Sequence, residues 1–179
     1  FCNMPTPFPT CDFTKPVLVL ENEDCLLVTD SVPGNKQCDL PPGTYGNLTV
    51  QNSGVISFDG GDYALCTVNA GKNVSATSKA ATTLNVVGDF TVNNNSLFGQ
   101  SCGDFTVNAA GTGILNFGRN GSYAMFACAP ERAVDLGHNN DLLGRFVGDT
   151  IRADSNNRGR CCQTPCACFD DFIPGSAKI

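Results

Sequence analysis

Eleven cysteines, a single histidine and a thin scatter of carboxylates are the residues of this chain that could do chemistry. Four cysteines crowd into Cys161-Cys162-x3-Cys166-x-Cys168, and four thiolates can satisfy a tetrahedral Zn²⁺. That spacing fits neither a zinc knuckle nor a ribbon, and seven other cysteines also want partners. Disulfides are the expected fate of most of the set: Cys2, Cys11, Cys25, Cys38, Cys66, Cys102, Cys128, Cys161, Cys162, Cys166 and Cys168. Disulfides persist in oxidising compartments, so this density predicts a secreted or cell-surface protein. The odd count leaves one thiol free or available to another molecule. Haem attachment through Cys-x-x-Cys-His is excluded, because His138 is the sole histidine and follows no cysteine.

His138 stands in Asp135-Leu-Gly-His-Asn-Asn-Asp141, where an imidazole between two carboxylates could hold a divalent metal or form an acid/base pair. The favoured reading is a corner residue. Asp59-Gly-Gly-Asp62 and Asp170-Asp171 offer oxygens for Ca²⁺, yet match neither an EF-hand nor a calcium-roll repeat, and read as solvated turns. Glycosidases need paired carboxylates and lyases a basic residue in an acidic groove, whereas Glu is confined to Glu21, Glu23 and Glu131. Arg119, Arg132, Arg145 and Arg152 are expected to form a cross-rung ion-pair row with Asp104, Asp135 and Asp149. No enzyme, cofactor or metal is expected from these patterns. The sequons at Asn47, Asn73, Asn94 and Asn120 arise almost automatically from Asn-rich corners beside Thr-rich strands.

Composition narrows the partners. Charged residues make up 16% of the 179, against about 25% in an average soluble protein. A net charge of -6 argues against nucleic acid, which needs a basic face. No stretch approaches the ~20 apolar residues that span a bilayer as a helix, so the chain is not expected to be membrane-embedded. It opens at Phe1 with no initiator Met and no apolar leader core, as a processed exported protein would.

The elements that carry these residues come from repetition. Gly46-Asn-Leu-Thr-Val-Gln-Asn52, Gly88-Asp-Phe-Thr-Val-Asn-Asn94 and Gly103-Asp-Phe-Thr-Val-Asn-Ala109 share one phrase, with a degenerate copy at Leu65-Cys-Thr-Val-Asn-Ala-Gly71. Each is a short alternating strand bounded by residues that tolerate positive φ. Strand starts about 7 to 11 residues apart leave no room for helical crossovers and fit a coil with two or three strands per turn. Asn and Gly at the separators accept the αL conformation that coil corners require. The only helix-like patch is 76–81. The fold class expected is all-β: a right-handed parallel β-helix (β-solenoid) with cysteine-rich extended N- and C-terminal regions. Its divisions are a Pro/Cys-rich arm and hairpin at 1–38, the solenoid at 39–157 and a Cys-rich tail at 158–179. The hairpin pairs Pro16–Leu20 with Cys25–Thr29 around Glu21-Asn-Glu-Asp24.

Leu40-Pro-Pro-Gly-Thr-Tyr-Gly-Asn-Leu-Thr-Val50 and Val87-Gly-Asp-Phe-Thr-Val-Asn-Asn94 resemble the repeats of exported bacterial β-solenoid surface proteins. The segments Tyr123–Pro130 and Val134–Gly148 resemble their later coils. The resemblance covers about 40–153 and implies fold and exported location, with no active residues. The cysteine load departs from it.

A solenoid exposes unpaired strand edges at both ends and needs caps. Here the ends are apolar: Phe1, Phe8, Phe13, Val17, Leu18, Val19 and Leu20 in front, Phe169, Phe172 and Ile173 behind. Those residues are the expected assembly sites, adding a strand to a neighbouring copy so that head-to-tail contacts propagate. The expected function is therefore a structural subunit of an extracellular self-assembling filament or surface layer. The alternative is a surface adhesin, a carbohydrate- or matrix-binding module.

Overall fold

A computed structural model describes residues 2, 4–20, 26, 27 and 38–162. Its elements are all strands, and no helix occurs among the described residues. In chain order β1 is Val17–Val19, β2 Leu26–Leu27, β3 Cys38–Leu40, β4 Gly43–Thr44, β5 Asn47–Val50 and β6 Val55–Phe58. There follow β7 Gly61–Leu65, β8 Thr67–Ala70, β9 Ser75–Ser78, β10 Thr82–Val86, β11 Phe90–Val92 and β12 Leu97–Phe98. The last are β13 Phe105–Ala109, β14 Leu115–Phe117, β15 Ser122–Leu136, β16 Asp141–Ala153 and β17 Arg158–Arg160.

From β3 onward every pairing is parallel and joins a strand to the one a full turn later. The chain is thus a β-solenoid of about six turns with three faces. Face one holds β4, β7, β10 and β13; face two holds β1, β5, β8, β11 and β14; face three holds β3, β6, β9 and β12. The long strands β15 and β16 pair with each other on all three faces in succession, with a register shift at the corner between Ala129 and Ala133. Face three ends on β17. At the bend of β16, Gly144 has φ 131°, and a Cβ there would clash with the Met125 carbonyl oxygen. Only glycine lets the coils approach so closely at that bend.

Alternation fills the tube. In β5, Leu48 and Val50 point inward, and parallel register stacks Val68 and Ala70, then Phe90 and Val92, then Leu115 and Phe117 on them. Aromatic rings continue along the axis. Phe58 meets Tyr63 at 5.2 Å and Phe105 at 5.4 Å; Phe90 meets Phe98 and Phe117; Phe117 meets Tyr123 at 5.0 Å. Mostly edge-on or tilted, such pairs add about 0.5–1.5 kcal/mol each beyond their area. Each coil therefore gains most of its stability from its neighbours.

Several expectations change at the boundaries. The front hairpin exists, with Val17 opposite Leu27 and Leu18 opposite Leu26 in antiparallel register. Its first strand also pairs in parallel with β5, so the solenoid begins at Val17 and not at residue 39. Leu40-Pro-Pro-Gly43 links β3 to β4, and β17 carries the coil past 157 to Arg160. Residues 61–70 break at Cys66 into β7 and β8, and the helix-like patch at 76–81 is strand and turn. A two-residue strand, β12, fills the wide gap before Phe105, which is otherwise a corner closed by Asp104. Its carboxylate accepts from the Gln100 and Ser101 amides, both at 2.8 Å, so Asp104 is a turn cap instead of an ion-pair partner.

Candidate functional site

Three surfaces bring together the residues that the sequence singled out: a strap on face one, the corners, and the open C-terminal end. The strap is the N-terminal arm. Cys2 is bonded to Cys128 and Cys11 to Cys66. The outward row of face one runs Ala64, Asn85, Asn108, Cys128 in successive coils. All four are buried although they point away from the core. The arm's two anchor points lie at either end of this row. Met4 Sδ lies 3.5 Å from Cys128 Sγ. Inside the row Asn108 Nδ2 donates to Asn85 Oδ1 at 3.1 Å, and Asn85 Nδ2 to the Tyr63 carbonyl at 3.3 Å. Where the arm joins the body, the Asp12 amide donates to the Tyr45 carbonyl and the Gly46 amide to the Lys15 carbonyl. Hydrogen bonds from the Thr14 hydroxyl and amide hold the Asp12 carboxyl below its usual pKa.

The corner between faces two and three is a ladder. Ser53, Asn73, Asn95, Asn120, Asn139 and Asn156 all have φ between 55° and 63°, one per coil. Three of these Asn side-chain amides donate back to the coil before: Asn95 to Asn73 Oδ1, Asn120 to Asn95 Oδ1, and Asn139 to Asn120 Oδ1 at 3.0 Å. The backbone runs the other way, with the Ser53, Asn73, Asn95, Asn120 and Asn139 amides donating to carbonyls of the next coil. The steps between ladder residues differ by several residues, so the corner is held in line while the coils vary in length. His138 belongs here. Its Nδ1 lies 3.3 Å from Asp154 Oδ2 of the next coil, and not between Asp135 and Asp141.

The corner between faces one and two is built differently. Arg132 is only 2% exposed and has left the expected ion-pair row. Its Nε donates to the Gly111 carbonyl at 3.1 Å, Nη1 to Gly88 at 2.6 Å, and Nη2 to the carbonyls of Val86 and Val87. One cation thereby ties three coils together. Burial lowers its pKa, and the nearby Asp89 charge works against that shift. Of the expected row, Arg152 pairs with Asp135 at 3.6 Å; Arg145 lies over the Phe126 ring at 6.0 Å. Two pairs that the sequence did not suggest are Lys79 between Asp39 and Asp59, 2.8 Å from each, and Arg160 with Asp141. Their partners are about 20 residues or more apart, and only the coil length brings them together.

The open end is the sixth coil. On one side β16 pairs with β15 over 141–148 and 150–153, but on the other β17 covers only Asp141–Leu143. Among the described residues no strand pairs with the outer edge of 144–153. Beside it is a cavity of about 310 Å³, whose apolar lining includes Leu136, Leu142, Phe146 and Ile151. Ile151 occupies the inward register of face two yet is 37% exposed, and no described strand pairs beyond it.

The assembly residues thus divide. Val17 and Val19 were expected at a free end; they are buried in the chain's own first rung, with Leu18 and Leu20 half-buried beside them. Phe8 is half-buried in the strap and Phe13 is 72% exposed. Phe1, Phe169, Phe172 and Ile173 lie outside the described residues. Among the cysteines, Cys102 is bonded to Cys162, which removes Cys162 as a thiolate ligand. Cys38 is disulfide-bonded as well, and Cys161 is half-buried at the end of β17. Cys25, Cys166 and Cys168, like Asp170 and Asp171, lie outside the described residues. No group of three His, Cys, Asp or Glu that could hold a metal ion occurs among the described residues. No described helix is long and apolar enough to cross a membrane. No protein-family model, curated protein or solved structure matches this chain.

Proposed function

We propose that this chain is a structural subunit of an extracellular self-assembling filament or surface layer. The observation that carries the reading is the inequality of the two ends. At the front an antiparallel strand, β2, lies along β1. At the back, among the described residues, no strand pairs with the outer edge of 144–153, which lies beside an apolar cavity. Unlike ends make a heterologous contact, and such a contact propagates when its rotation does not close. The disulfide-bonded solenoid is consistent with an extracellular structural or surface role. Among the described residues the parallel ladders satisfy the backbone of the rod and leave part of β16 without a strand partner, which suits growth by strand addition. Electron microscopy and sedimentation of the disulfide-intact protein over a wide concentration range test the reading. Particles that lengthen with concentration are expected; a monomer at every concentration overturns it.

A second reading has one observation in its favour. On face two Thr49, Asn69, Thr91 and Asn116 stack outward in consecutive coils at the spacing of parallel strands, about 4.8 Å. A flat row of hydroxyls and amides is the kind of surface a carbohydrate- or matrix-binding module presents. Glycan binding that is lost in a Thr91→Glu variant with unchanged stability would favour it over the filament.

A further inference from the structure

The strap is attached to its groove in an unusual way. Between residues 4 and 11 the arm forms no strand, and prolines at 5, 7 and 9 remove three of its amide donors. Among the described residues, the backbone hydrogen bonds that anchor it to the body are at its root, Asp12 and Lys15. Beyond that root the arm is held by two disulfides and by side-chain packing. Both bonds are asymmetric in access. On the body side Cys66 is 1% and Cys128 0% exposed, while Cys2 and Cys11 on the arm are half-buried. Beneath them lies a groove that a bare solenoid would not need, with outward-facing Asn85 and Asn108 paired to each other and covered.

We infer that this groove is a docking surface for the N-terminal arm of a second copy, and that arms exchange between copies through their disulfides. The inference rests on the self-assembly reading and adds a covalent joint to it. The occupant is fixed by the structure: whatever fits the groove must match residues 2–13, and a second copy carries that segment. Any small thiol of the surrounding medium supplies the nucleophile. Its thiolate attacks the more accessible arm sulfur, Cys2 Sγ; the Cys2–Cys128 bond breaks and Cys128 leaves as a thiolate. That thiolate then attacks the mixed disulfide on Cys2 of another copy, forms Cys128–Cys2 between copies and expels the thiol. One disulfide breaks and one forms at each step, so no oxidant is consumed. The same two steps at Cys11 and Cys66 complete the exchange. Swapping an identical element preserves every contact of the monomer and therefore costs little beyond concentration.

Equal amounts of unlabelled and ¹⁵N-labelled full-length protein, equilibrated with a mixture of reduced and oxidised glutathione and then alkylated, test this by mass spectrometry. Peptides joined through Cys2 and Cys128 are read for isotope composition in each size fraction. The expected result is mixed-isotope links making up about half of those in the polymer fraction, the statistical share for links drawn between copies. Mixed links found only in closed dimers would uphold arm exchange and remove the filament. Polymers whose Cys2–Cys128 peptides stay same-isotope would overturn arm exchange and leave the filament standing. Same-isotope links with no polymer would overturn both.

Discussion

Two corners of the solenoid perform the same task by opposite means. Between faces two and three each coil turns through one αL residue, and the Asn95, Asn120 and Asn139 side-chain amides each bond their counterpart in the coil before. Between faces one and two no common residue recurs; the positions are Cys66, Val87-Gly88, Ala110–Gly113 and Ala129–Arg132. There the order comes from a distance: a buried guanidinium on four carbonyls and a disulfide to the arm. The first corner is a local solution repeated. The second is one solution for several coils at once, so it must fail cooperatively.

The largest effect that would break this comparison is at the strap. Replacing Cys2 and Cys11 together by serine should destabilise the chain by about 4–6 kcal/mol, the usual contribution of two disulfides closing long loops. The shift in denaturant midpoint at constant slope measures it, and a loss below about 1 kcal/mol would make the strap an accessory. Next, Arg132→Met should cost about 3 kcal/mol, because it leaves four carbonyls of two neighbouring coils without their donor, although it also removes a buried charge. Hydrogen exchange in this variant should rise together at residues 86–88 and 111, the cooperative failure that distinguishes this corner.

The Asn ladder should respond more weakly and locally. Asn120→Ala should cost about 2 kcal/mol, combining the αL penalty of a Cβ without local hydrogen bonding with the lost amide contact. Asn120→Gly keeps the backbone and should cost under about 1 kcal/mol. Equal losses for the two variants would mean that φ is not what the ladder residue supplies.

The contact between Leu40 and Tyr63, where face three passes to face one, becomes sensitive in alkali. Tyr63 Oη donates to the Leu40 carbonyl at 2.5 Å and accepts from the Asp59 amide, and burial pushes its pKa up to about 12. Tyr45 and Tyr123 are shifted upward too, both by burial. A phenol whose folded pKa exceeds its unfolded value near 10 favours folding below pH 10. That contribution is lost as pH rises through about 12. Tyrosinate absorbance should therefore appear late and together with the loss of circular dichroism. Early absorbance from a still-folded chain would contradict the burial of all three rings.

The contrast between the corners also explains what could be read in advance. The solenoid and its Asn corners were legible because Gly-x-[Leu/Phe]-Thr-Val and Asn-Asn-Asn act within a few residues, where φ preference and alternation operate. A coil of two or three strands per turn came from the same spacing, and the structure has three. Arg132 was placed in a surface row because nothing within four residues marks it as buried; its partners lie 21 to 46 residues away. The arm read as a free end for a similar reason. Prolines announce that it avoids a ladder, but only the positions of Cys66 and Cys128 along the coils show that it returns to its own body. Val17–Val19 likewise has the composition of an edge strand, and it is parallel register with β5 that makes it the first rung.

The strap has a mechanical meaning as well. Cys66 and Cys128 sit three coils apart, about 14 Å along the axis at the spacing of parallel strands. The nine residue steps from Cys2 to Cys11 can reach about 30 Å when drawn out. A load pulling on the rod can therefore separate these coils by roughly 16 Å before covalent bonds carry it. Within that travel the ladders can part and re-form. Beyond it the rod stops yielding, so the arm sets the distance at which a soft stack of coils becomes a tether.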